Sequence, residues 1–120
     1  MEDLIQVSDK IEQAIKNLSR GRLLLQERAE AKSNAIANYD KEMAKVLIQL
    51  KNGVEFELDG SKVSNPLAAV IKEIAKGICW KVKLELDKAE ALYKNSIVGL
   101  SVIQAELNGW QSIYRHLVEK

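Results

Sequence analysis

The sequence predicts a mainly all-α fold: a long helical hairpin or bundle with coiled-coil-like seams, a short middle helix, and an elbow that is a small β-hairpin or a loop. Three observations carry this. Apolar residues recur at alternating steps of four and three over two long stretches, the signature of a helix with one buried face. The composition, 47% apolar and 29% charged with a single proline, suits amphipathic helices better than disorder or an aromatic-rich sheet. Strand-like alternation is confined to residues 52–65.

The first seam reads Leu4, Ser8, Ile11, Ile15, Leu18, Arg22, Leu25, Ala29, Lys32, Ile36, Tyr39, Met43, Val46, Leu50. It predicts a helix over residues 3–51 with three polar interruptions. Gly21 costs that helix roughly 1 kcal/mol against alanine, and either packing absorbs the cost or the helix kinks there. In the elbow, Val54, Phe56 and Leu58 alternate with Glu55 and Glu57 before Asp59-Gly60, a pair suited to a type I′ turn, and residues 61–63 supply a short return strand if the hairpin forms. Asn65 is placed to cap, and Pro66 to begin, a short helix over residues 66–76 that carries Leu67, Val70, Ile71 and Ile74. Gly77 bends or ends it. The last helix, residues 78–118, carries the cleaner seam: Val82, Leu86, Ala89, Tyr93, Ser96, Leu100, Ile103, Leu107, Trp110, Tyr114, Leu117.

With 120 residues, the chain suits one helical domain. Helices of forty to fifty residues extend about 60–75 Å, and apolar residues spill off both seams. Ile5, Val7, Leu23, Leu24, Leu47 and Ile48 do so on the first helix; Leu92, Ile97, Val98, Val102, Ile113 and Val118 do so on the last. Leu23, Leu24 and Leu25 point in three directions and cannot share one interface. The sequence therefore predicts self-association into a bundle of four or more helices, against the alternative of a compact monomer folded at Gly21.

The residue inventory speaks against catalysis. The one histidine, His116, lies with Arg115 away from the seam, and no nucleophile elbow, Glu-x-x-His or glycine-rich phosphate loop occurs. No catalytic residue, metal or cofactor is implied. A net charge of +1 gives no global field for a polyanion. The lone Cys79 and the acidic Met1-Glu2-Asp3 start suit a reducing cytoplasm rather than secretion, and no stretch is apolar enough to imply a membrane role.

Two local clusters remain. Lys72, Lys76, Lys81, Lys83 and Lys88 surround Trp80 and form the candidate nucleic-acid contact; the same pattern also describes a bend whose lysine stems cover apolar surface. Near the C-terminus, Trp110 and Tyr114 belong to the seam, whereas Gln111, Arg115 and His116 point outward. Together with Leu23 and Leu24 these form the candidate partner surface.

Residues 88–94 (KAEALYK) and 105–117 (AELNGWQSIYRHL), with residues 27–45 (ERAEAKSNAIANYDKEMAK) more loosely, resemble small helical proteins encoded by phages and prophages of Gram-positive bacteria. The resemblance implies a bacterial cytoplasm and a setting near phage DNA replication or recombination. It brings no catalytic residues. The expected function is a non-enzymatic interaction module, an oligomeric accessory factor or an inhibitor of a host or phage protein, including a host defence enzyme. The alternatives are direct nucleic-acid binding and a structural or scaffold subunit.

Overall fold

In a computed structural model, residues 2–119 are described. The element order is α1 (Glu2–Lys51), β1 (Phe56–Leu58), β2 (Ser61–Val63), α2 (Ile71–Ile78) and α3 (Trp80–Val118). The fold is mainly all-α, as the periodicity predicts. The chain divides into two compact units, one of residues 30–91 and one formed by residues 1–29 with residues 92–120.

In the unit of residues 30–91, the core is Met43, Val46 and Leu50 of α1 against Ala75 and Cys79, with Leu50 and Ala75 fully buried. Here the predicted seam positions from Tyr39 to Leu50 face inward, whereas Ile36 is exposed. A Schellman motif ends α1: Gly53 sits at φ +80, its N–H donates to the Leu50 carbonyl at 3.2 Å, and the Val54 N–H donates to the Gln49 carbonyl at 3.0 Å. The elbow is a hairpin. Phe56 pairs with Val63, Glu57 with Lys62 and Leu58 with Ser61, and Asp59 and Gly60 both hold the positive φ of a type I′ turn. Phe56 and Val63 close over the core. Leu58 lies so near the backbone of α2 that a Cβ on Gly77 would stand 3.3 Å from its Cδ2.

The short helix begins later than predicted. Asn65 adopts φ +45, a left-handed conformation that Asn tolerates, and so cannot cap a helix starting at Pro66. A turn follows in which Val70 and Ile71 donate to the Leu67 carbonyl, and α2 starts at Ile71 with no side-chain cap on Val70. Leu67 and Val70, expected on the helix, are exposed before it. At the other end α2 runs past Gly77 to Ile78, and Cys79 alone separates it from α3, which begins at Trp80 rather than 78.

In the other unit, α1 runs through Gly21 unbroken. One column of the predicted seam, Leu4, Ile11, Leu18 and Leu25, is half-buried; the second column is shifted by one residue. Val7 and Ala14 are buried where Ser8 and Ile15 were expected, and Ile15 is 51% exposed. Gly21 replaces Arg22 in the same column: a Cβ there would meet Leu100 Cδ2 at 2.7 Å. Small residues let the α1 backbone approach α3, and a count of large apolar side chains gives them too little weight. On α3 every predicted seam residue from Tyr93 to Leu117 is at least half-buried except Tyr114, which is 39% exposed. The polar member, Ser96, satisfies its hydroxyl by donating to the Leu92 carbonyl at 2.9 Å.

Candidate interaction surface

The lysine cluster is largely neutralised by acids of its own helices. Lys76 lies 3.5 Å from Glu73, Lys83 3.2 Å from Asp87 and Lys88 3.9 Å from Glu85. The hydrogen bond and charge of Asp87 raise the Lys83 pKa. All three pairs are exposed, so each adds little to stability, yet each lowers the positive field that a phosphate would meet. Lys72 is exposed with no acidic partner among the described residues. Lys81 places its Nζ 5.6 Å from the Trp80 ring centroid, a cation–π contact. Lys83 does the same over Tyr39 at 5.7 Å. Trp80 is 55% exposed, more open than a packed bend requires.

Beneath this surface Cys79 is buried. Burial, and secondly the charge of Glu42, raise its thiol pKa, which leaves it an apolar packing group rather than a nucleophile. Among the described residues no group of three or more His, Cys, Asp or Glu gathers to hold a metal, and no helix is long and apolar enough to cross a membrane.

The other unit holds the second set of candidate residues. Gln111 and Arg115 come together with Tyr114 of α3 and Ile11 of α1 around an open cleft of about 450 Å³. His116 is exposed outside it. Leu24 lines a different groove, of about 250 Å³, with Gly21, Arg28, Leu92 and Gly99. Leu23 is 62% exposed and lines neither. The predicted partner surface is therefore not one patch.

The larger feature is a deficit of burial. Among the described residues of this unit only Val7, Ala14 and Leu107 are buried, while Ile5, Ile15, Leu23, Leu24, Leu92, Ile97, Val98, Val102, Ile113, Tyr114 and Val118 are exposed. Two helices offer each other one stripe, and these residues are left uncovered among the described residues. Sequence reading found most of this spill and missed how little the seam itself buries, because Ala14 and Gly21 contribute almost no side chain.

Comparison with known proteins gives no relative: no protein-family model, curated protein or solved structure matches this chain.

Proposed function

We propose that this protein is a non-enzymatic interaction module that works as a self-associated helical assembly in a bacterial cytoplasm, as a phage-encoded accessory factor or inhibitor of a host or phage protein. The observation that carries the reading is the excess of exposed over buried large apolar side chains in the unit of residues 1–29 and 92–120. Soluble monomers scatter such residues singly, whereas rows of them along helices mark surfaces that another chain covers. The pairing of Lys76, Lys83 and Lys88 with acids supports a protein partner over a nucleic acid.

The test is multi-angle light scattering of the purified chain, alone and with a short mixed-sequence DNA at low salt. A stable oligomer whose mass ignores DNA is the expected result. A concentration-independent monomer would refute self-association. A salt-sensitive mass increase with DNA would instead assign the function to nucleic-acid binding through the lysines around Trp80.

A further inference from the structure

Asparagine followed by glycine occurs twice in the chain, at Asn52-Gly53 and at Asn108-Gly109. The pair has a chemistry of its own. The main-chain nitrogen of the glycine can attack the Cγ of the asparagine side chain, because glycine has no Cβ to obstruct the approach and the freest backbone with which to make it. Both pairs are exposed, so access to water does not tell them apart. Their backbones do.

Asn108-Gly109 lies well inside α3, where each N–H is held by the carbonyl four residues earlier. The Asn108 side chain is held as well, its Oδ1 accepting from Gln104 Nε2 at 3.0 Å. Bringing the Gly109 nitrogen onto the Asn108 Cγ means turning that peptide plane out of the helix, and opening a packed helix interior costs free energy up to the global stability. Asn52-Gly53 stands just beyond Lys51, the last residue of α1. There the Gly53 N–H donates to the Leu50 carbonyl at 3.2 Å, the long end of the range for such a bond. Helix ends fray at almost no free-energy cost, so this peptide plane turns far more often than the one at Gly109.

We propose that Asn52 is a site of spontaneous covalent rearrangement in the folded protein, while Asn108 is preserved. The Gly53 nitrogen forms a bond to Asn52 Cγ, the bond from Cγ to the side-chain nitrogen breaks, and that nitrogen leaves as ammonia with the proton given up by the Gly53 amide. Water then opens the succinimide ring. Attack at Cγ leaves aspartate in place of asparagine; attack at the main-chain carbonyl leaves isoaspartate, in which the chain runs through the side-chain carbons. The sum is water taken up and ammonia released, with nothing oxidised or reduced.

The position gives the change a structural consequence. Either product places a carboxylate at the C-terminal end of α1, where the helix macrodipole is already negative. Isoaspartate also lengthens the main chain between Lys51 and Gly53, which breaks the register of the bonds from Gly53 to Leu50 and from Val54 to Gln49. The altered link is the one that joins α1 to the hairpin whose Phe56 and Val63 close over the core.

The test follows the full chain over time in mildly alkaline buffer, folded and in urea, with digested samples mapped by mass spectrometry. Each conversion appears as an amide replaced by an acid; Asp59-Gly60 has no ammonia to lose and does not enter the reading. In urea the two asparagines are expected to convert at similar rates, since both precede glycine. In the folded chain Asn52 is expected to convert at least about tenfold faster than Asn108, the ratio set by an opening cost of about 1.4 kcal/mol or more in the helix interior. Conversion of Asn108 as fast as that of Asn52 in the folded chain overturns the proposal, and so does an Asn52 that converts in urea but stays intact when the chain is folded.

Discussion

Gly21 and Gly99 allow the packing of α1 against α3 to be measured directly. Both are interior helical glycines without positive φ, so replacing either by alanine gains the same backbone contribution, about 0.5–1 kcal/mol. They differ in their surroundings. Nothing lies within 4 Å of a Cβ at Gly99, whereas a Cβ at Gly21 stands 2.7 Å from Leu100 Cδ2. Carbon pairs prefer about 3.5–4.0 Å, so the methyl must retreat by about 1 Å. Leu100 borders open grooves on both sides of the helix pair, which places the overpacking cost near the low end of its range, about 1–2 kcal/mol. Gly99→Ala is therefore expected to stabilise by about 0.5–1 kcal/mol, and Gly21→Ala to be neutral or to destabilise by up to about 1.5 kcal/mol. Urea unfolding followed by far-ultraviolet circular dichroism, at one protein concentration so that association is held constant, reads the difference. In a Leu100→Ala background the two substitutions become equivalent. Equal stabilisation by both in the wild-type chain would show that Gly21 makes no close approach, and the shifted seam Val7, Ala14, Gly21 would fall with it.

Three further outcomes follow from the unit of residues 30–91. Leu50→Ala removes the one large side chain that is fully buried among the described residues and is expected to cost about 3–4 kcal/mol; a loss under about 1 kcal/mol in urea unfolding would mean that the cluster around Met43 and Val46 is not the core. Phe56→Ala, which removes a side chain packed against that cluster, is expected to cost about 2–3 kcal/mol and to leave the oligomer mass unchanged; lost association with unchanged stability would make the hairpin a docking element instead. The Cys79 thiol, its pKa raised by burial and by Glu42, is expected to react with iodoacetamide in native buffer with an apparent pKa above that of the urea-unfolded chain. Because the folded state resists ionisation, the stability this thiol contributes is complete below its unfolded pKa and declines as pH rises through the higher folded value. Equal reactivity profiles in the two states would refute the burial.

The sequence makes the long helices legible because a 3.5-residue period holds register over many turns, and Asp59-Gly60 makes the hairpin legible because only one common turn wants that pair. The start of α2 was not legible. Asn65-Pro66 carries the local signal of a cap and first turn, yet Asn65 goes left-handed beside Gly53, whose added Cβ would stand 3.3 Å from the Asn65 Oδ1. Closing the elbow is a contact between residues twelve apart, and no local signal reports it. The same limit applies to the interaction surface. Leu23 and Leu24 stand out in the sequence because they are large, but the contact between α1 and α3 is built on Ala14, which is buried, and Gly21, both of them small. Small residues on a helix look like indifferent surface until the structure shows that a Cβ at Gly21 would stand 2.7 Å from Leu100 Cδ2. A large residue announces what it covers; a small one announces only what comes close, and that can be read only once the chain's own contacts are known.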